Sequence, residues 1–210
     1  MKFCITGSDA CGKATQAKIL AERLGAALFS FPNYESPTGK AILGNLRGSW
    51  EIHRDSNADH HEGCYKVPEV NALVLQALMN ANRVESTAAL KAAERKGHVV
   101  CDRYDVDALV YGALDGLDAD WLEMLNDNLP FKPDVYILLD VPVEEGFKRR
   151  PQRRDRYEAD VKRMEQVRAA YLELFRSREN EGNWRVVDGI GSIDDVSARV
   201  WTATGLKVRA

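Results

Sequence analysis

The sequence predicts an α/β protein with a mostly parallel sheet and helices on both faces. Three observations point there. Five short apolar runs recur along the 210 residues, and stretches of helical periodicity separate them. No internal repeat and no Pro/Gly/Ser-rich linker divides the chain. Strands alternating with helices form parallel sheets, whose ligands gather at the carboxyl ends of the strands.

The elements follow in order. Lys2–Thr6 reads as a first strand. The 12–24 stretch reads as a helix with Ala17, Ile19, Leu20 and Leu24 on one side, and 26–30 as a second strand. Pro37–Leu46 looks helical. The 49–66 stretch is polar and reads as a loop. The 69–95 stretch reads as one long, bent helix, and 98–101 as a strand closed by Asp102. A helix is predicted over 118–125 and an apolar strand over 135–139. Helices follow over 143–150 and 157–176; the second carries Val161, Met164, Val167, Tyr171, Leu174 and Phe175 at helical spacing, a core stripe. A last strand, 185–187, and a last helix, 193–201, complete the chain.

Composition narrows the class. Hydrophobic residues make up 45% and charged residues 29%, as in an ordinary soluble domain, which excludes a disordered tail, a collagen or a disulfide mini-protein. At about 150 residues per domain, one domain over 1–210 is expected. The net charge of −3 gives no argument for nucleic-acid binding. Apolar runs fall short of the ~20 residues of a membrane span, and no leader-like apolar region opens the chain. Four cysteines (Cys4, Cys11, Cys64, Cys101) are widely spaced without a C-x-x-C, so a reducing, cytoplasmic setting is expected. His53, His60 and His61 with Cys64 match no common zinc spacing and read as polar loop residues, with Trp50 and Tyr65 as loop anchors.

The chemistry concentrates after the first strand. Gly7-Ser8-Asp9-Ala10-Cys11-Gly12-Lys13-Ala14-Thr15 matches G-x-x-x-x-G-K between a predicted strand and a predicted helix, a phosphate-binding loop. Glycines let successive N–H groups curl around phosphate oxygens, the helix N-terminus adds positive partial charge, and Lys13 adds a full one. The fold expected is therefore a P-loop NTPase-type parallel five-stranded sheet. The hydroxyl that usually follows the lysine and binds magnesium is absent: Ala14 stands there, and Thr15 comes one residue late. A methyl group cannot hold a hard cation, so another residue must. Asp102 is the candidate, with a helix cap or salt bridge as its structural alternative. Asp140, which also ends an apolar strand, competes for the role. Arg103 and Tyr104 beside Asp102 tilt the choice to Asp102.

Further motifs share one order and spacing. They are Phe31-Pro32-Asn33-Tyr34, Asn82-Arg83, Asp102-Arg103-Tyr104, the run Arg153-Arg154-Asp155-Arg156-Tyr157-Glu158, Leu139-Asp140-Val141-Pro142 and Trp184-Arg185-Val186-Val187-Asp188. Together with Gly7–Gln16, this series resembles the thymidylate kinase family along almost the whole chain. The resemblance implies transfer of the ATP γ-phosphoryl group to dTMP, with Mg²⁺, in a cytoplasmic homodimer formed through the long helices, and with neither nucleic acid nor membrane as partner. It implies that Gly7, Ser8, Ala10, Cys11, Gly12, Lys13, Ala14 and Thr15 bind ATP. It implies a catalytic set of Lys13, Asp9, Arg103, Arg153 and Arg156, the last two in a short lid around 149–157. Acceptor contacts fall to Asp9, Phe31, Tyr34, Met79, Arg83, Arg103 and Tyr111, and the metal to Asp102 and Asp9. A cis Phe31–Pro32 bond is also implied.

Departures accompany the match. Met79 stands where the family often has a stacking Phe, Asp107 where a Ser follows the D-R-Y, and Gly112 where a Gln is usual; all three are expected near the base pocket. Ala10 stands where some members carry an arginine, so the lid should supply that charge. Arg103 could instead form a structural salt bridge with Asp102 or Glu85. Lys148–Arg150 reads as a solvated helix face. Two other readings stay open: a kinase for another deoxynucleoside monophosphate, and a degenerate nucleotide-binding protein without turnover.

Overall fold

The computed structural model describes residues 1–46, 68–149 and 161–207, with backbone alone for 68–71. Five parallel strands form its sheet: β1 (Lys2–Thr6), β2 (Ala27–Ser30), β3 (Val99–Asp102), β4 (Val135–Asp140) and β5 (Trp184–Asp188), in spatial order β2-β3-β1-β4-β5. The helices are α1 (Lys13–Leu24), α2 (Pro37–Leu46), α3 (Pro68–Glu85), α4 (Thr87–Glu94), α5 (Val106–Leu114), α6 (Ala119–Asp127), α7 (Val143–Arg149), α8 (Val161–Ser177) and α9 (Ile193–Ala203).

Alternation along the strands builds two cores. Phe3 and Ile5 of β1, Val100 of β3 and Ile137 and Leu139 of β4 pack with Ala17 and Leu20 of α1 and with Val196 and Val200 of α9. Cys4, Cys101, Tyr136 and Leu138 face the other way, against Leu90, Val110, Val167, Tyr171 and Phe175. Successive strand side chains point to opposite faces, so burial on both sides makes the strands near-continuously apolar. Full burial of each large side chain stabilises by about 1.5–3 kcal/mol, enough to outweigh the weak intrinsic preference of a four-residue strand.

This order places β1 centrally and brings its carboxyl end beside that of β3: Ile5 pairs with Asp102, and the Arg103 amide donates to Ile5 O at 2.9 Å. The edge of β2 follows, with Phe31 N donating to Asp102 O at 3.0 Å. Functional loops from β1, β2 and β3 thus share one rim.

Two expectations are corrected and one unassigned stretch is filled. The long 69–95 helix is two helices, α3 and α4, parted at Ser86, where the hydroxyls of Ser86 and Thr87 donate back to Asn82 O and Arg83 O at 3.1 and 3.4 Å and compete with the helical ladder. The 106–114 stretch, unassigned in the sequence reading, is helix α5. Val106, Asp107, Ala108, Val110 and Gly112 are all buried, so α5 shows no clean amphipathic stripe. Asp118 caps α6 rather than starting it, accepting from Trp121 N at 2.8 Å. The 49–66 loop, with His53, His60, His61, Cys64, Trp50 and Tyr65, lies outside the described residues. No helix among the described residues is long and apolar enough to cross a membrane.

Candidate active site

The loop between β1 and α1 wraps the helix N-terminus. Gly7 takes φ 149°, and a Cβ there would stand 2.7 Å from Leu139 O, so the β1–β4 approach admits only glycine. Gly12 is the α1 N-cap at φ 97°, with no side-chain cap, so the positive end of the helix is not neutralised by a capping side chain. Ser8 and Cys11 are buried within the loop, whereas Ala14 and Thr15 are exposed on α1.

One cavity of ≈ 1250 Å³ runs from this loop to the rim of α2, α3 and α5. It exceeds the ~300–1,000 Å³ of a typical single-ligand pocket, so two ligands can be accommodated end to end. At one end lie Gly12, Lys13, Thr15 and Arg149, and at the other Phe31, Tyr34, Met79, Arg83 and Tyr111.

Asp9 joins the two ends. Lys13 Nζ donates to Asp9 Oδ1 at 3.3 Å and to Ser8 O at 3.1 Å. Arg103 Nη2 donates to the same Oδ1, and Tyr111 Oη to Oδ2 at 3.5 Å. Burial opposes the charge on Asp9, but Arg103 and Lys13 outweigh it and hold the carboxyl at about 2. Burial likewise opposes the Arg103 charge, and Asp9 and Asp107 reverse that, so the guanidinium stays firmly protonated. Arg103 pairs with these two carboxylates, not with Asp102 or Glu85. Ala10 (φ 61°) and Arg103 (φ 63°) are the non-glycine residues at positive φ among the described residues. Both face the cavity, where held backbone strain is typically found.

The F-P segment is fastened from α3. Asn82, fully buried, accepts from Asn33 N at 2.8 Å and donates to Asn33 O at 3.2 Å and Ser36 Oγ at 2.9 Å. The Phe31–Pro32 peptide is cis, and Phe31 packs edge-on against Tyr104 at 5.1 Å. Arg83 is 4% exposed, with Nε and Nη1 lacking a hydrogen-bond partner, and burial lowers its pKa.

Asp102 fits a hard cation. It lines the cavity, its Oδ1 is buried without a partner, and burial raises its pKa while Lys13 and Arg103 oppose. Asp140 is instead paired with Arg168. Among the described residues no group of three His, Cys, Asp or Glu is clustered as an all-protein metal cage.

The chain matches the thymidylate kinase family model over residues 5–200. The chain belongs to the thymidylate kinase family. It is 33% identical over 181 residues to a probable thymidylate kinase of Methanococcus maripaludis, covering 86% of this chain and 80% of that one. It is 33% identical over 200 residues to a probable thymidylate kinase of Pyrococcus horikoshii, covering 93% and 91%. The solved thymidylate kinase of Candida albicans superposes with a TM-score of 0.78 at 26% identity, over 97% of this chain and 90% of that one. The P-loop NTPase fold is therefore the one present, and a family of nucleoside monophosphate kinases is the frame for the site.

Within that family's expected site, Lys13, Asp9, Arg103, Arg83, Met79, Tyr34, Phe31, Tyr111 and Asp102 converge on one cavity. Arg153 and Arg156 lie outside the described residues. Asp107 lines the cavity as expected and also pairs with Arg103. Gly112 is the departure corrected: it faces the side chain of Leu122, 2.6 Å from where a Cβ would stand. Arg149 was missed. Arg149 is exposed, as the solvated-face reading of Lys148–Arg150 expects, but it also donates to Cys11 O at 3.2 Å and Gly189 O at 2.8 Å, bridging the loop to the end of β5. Lys148 does fit that reading, pairing with Glu145 at the surface.

Proposed function

We propose that this site transfers the γ-phosphoryl group of ATP to dTMP, giving dTDP and ADP. One observation carries the reading: the loop lysine Lys13 and the acceptor-side arginine Arg103 meet on the same oxygen, Asp9 Oδ1. A donor phosphate at Lys13 and an acceptor phosphate at Arg103 are thereby neighbours, and positioning is most of phosphoryl-transfer catalysis.

The acceptor is already a phosphate with a second pKa near 6, so it is largely dianionic at pH 7 and needs no general base. One of its oxygens attacks the γ-phosphorus as the bond to the β-bridging oxygen breaks, and ADP leaves with that electron pair. Arg103 holds the acceptor oxygens, its planar fork matching two of them. Lys13 and the N-terminus of α1 hold the donor phosphates. Tyr34 reaches the acceptor phosphate, Arg83 and Met79 bound the base, and Tyr111 borders the sugar. Arg153 and Arg156, outside the described residues, are assigned by the family resemblance to act on the transferring group. Magnesium, when bound, neutralises donor-phosphate charge. Asp102 is the residue to hold it, directly or through water, since the oxygens of Asp9 are already taken by cations and Tyr111.

The same reading covers a single kinase domain over 1–210 with a short lid around 149–157, a homodimer and a cytoplasmic location. The outward side of α3, with Leu73 and Val84 exposed, supports the dimer, and the buried free thiols Cys4, Cys11 and Cys101 suit a reducing compartment. A second reading concerns the base. Met79 keeps apolar contact but forgoes ring stacking worth about 0.5–1.5 kcal/mol, so discrimination among bases is looser. A coupled assay of ADP release over a panel of nucleoside monophosphates tests both. Fastest turnover of dTMP is expected, and faster turnover of dGMP or dAMP would overturn the choice of acceptor.

A further inference from the structure

Asp107 has more partners than a pocket-lining carboxylate needs. Its Oδ1 accepts from Arg103 Nη1 and, at 2.6 Å, from Tyr171 Oη of α8. Its Oδ2 accepts from the Thr6 hydroxyl of β1 at 3.2 Å and from the Tyr104 amide at 3.3 Å. Four donors from three places in the fold converge on one side chain, which is 8% exposed.

This arrangement fixes more than Asp107. A guanidinium is a rigid fork of five N–H donors, and a carboxylate on one arm sets the plane of the rest. Asp9 takes Nη2 and Asp107 takes Nη1, with the Tyr111 ring 5.7 Å from the guanidinium carbon. Asp9 is part of the phosphate loop and engages Lys13, so it belongs to the reacting centre. Asp107, also on the cavity wall, makes no hydrogen bond with Lys13 or the phosphate loop; it is anchored to β1 and α8 and can hold the fork from that side.

We propose that Asp107, itself fixed by Tyr171 and Thr6, is a positioning residue that presets the Arg103 guanidinium for the acceptor phosphate. The inference rests on the reading of Arg103 as the acceptor clamp. Pre-organisation lowers the ordering cost of binding, so the effect belongs to acceptor affinity rather than to ATP.

The test compares steady-state constants for ATP and dTMP in Asp107→Ala, Asp107→Asn, Tyr171→Phe and Arg103→Lys. Asp107→Ala is expected to raise the KM for dTMP about tenfold while the KM for ATP stays within about twofold. Asp107→Asn keeps an oxygen for Nη1 and recovers most of that loss. Tyr171→Phe, which keeps the ring and its packing, shifts the dTMP KM the same way by about threefold. Should Asp107→Ala fail to fold, Asp107→Asn and Tyr171→Phe decide. Equal rises in both KM values, or an unchanged dTMP KM in folded Asp107→Ala or Tyr171→Phe, would overturn the proposal. Arg103→Lys separates the two layers. An unchanged dTMP KM there removes Arg103 as the clamp and the proposal with it. A raised KM there beside a silent Asp107 series removes the positioning role alone.

Discussion

Arg168 of α8 grips the Asp140 carboxylate at two points, Nε to Oδ1 at 2.6 Å and Nη2 to Oδ2 at 2.9 Å. A carboxylate so paired is a tie between β4 and α8 and not a free ligand for a cation. Asp140→Asn is expected to lose about 1 kcal/mol in urea unfolding, the scale of a partly exposed ion pair with good geometry. The Mg²⁺ concentration for half-maximal activity should not move. A tenfold rise in it would return Asp140 to the metal site.

Asp102 should behave in the opposite way. Burial raises its pKa above the ordinary 3.8, so its ionised form opposes folding wherever the pH exceeds that raised value. Asp102→Asn should therefore raise the melting temperature of the nucleotide-free protein at pH 7. The gain should shrink as the pH falls and vanish below about 3.8, where the carboxyl is protonated in both states. In the same variant the Mg²⁺ requirement should increase. A lower melting temperature at pH 7 would mean that Asp102 is held by a partner.

Asp9 carries the reverse sign. Its carboxyl is held at about 2, below the ordinary 3.8, so its ion pairs stabilise fully above 3.8 and fade as the pH drops toward 2. Asp9→Asn should cost about 2 kcal/mol of folding stability at pH 6, the linkage value of a shift of that size. The difference from the unsubstituted protein should close between pH 4 and pH 2. Denaturant unfolding across that range measures it, and a gap independent of pH would contradict the ion-pair account.

Arg149→Ala removes two hydrogen bonds onto backbone carbonyls of the loop rim. The KM for ATP should rise by roughly three- to tenfold, the effect of losing charge-assisted bonds at an open site, while the KM for dTMP stays the same. Parallel titration of the two substrates distinguishes this from general damage, which would raise both.

How much of this was legible in the sequence depends on the reach of each signal. β1 and α2 were read with their observed bounds, because apolar runs and a Pro at N1 are local signals. The loop from Gly7 to Thr15 was legible for the same reason. α5 was not, since a helix buried on nearly every side has no stripe, and Asp105 and Asp107 resemble loop residues. Asp105 is in fact its N-cap, accepting from Val106 N at 3.1 Å. Arg103 and Tyr104 favoured Asp102 over Asp140 from the sequence; that Asp140 is paired was not legible, since Arg168 lies 28 residues after it and carries no marker of its partner. Arg149 and Lys148 are adjacent and equally charged, and only the turn of α7 separates a bridge to the loop from a surface pair. Asp107 was read as a departure near the pocket, where it lies, but its bond from Tyr171 was not legible, because Tyr171 approaches it from 64 residues away.

The central claim is that donor and acceptor nucleotides lie end to end in one cavity, with their phosphates meeting at Lys13, Asp9 and Arg103. A compound joining adenosine and thymidine through five phosphates spans such a site in one molecule. Calorimetry with this compound and Mg²⁺ should give one molecule per chain, bound at least about a hundredfold more tightly than ATP alone, because one ordering cost serves two sets of contacts. Prior saturation with either ATP analogue or dTMP should block it, and Arg103→Lys should weaken it. Binding no tighter than ATP, displaced by the ATP analogue but indifferent to dTMP, would show that the acceptor is held elsewhere.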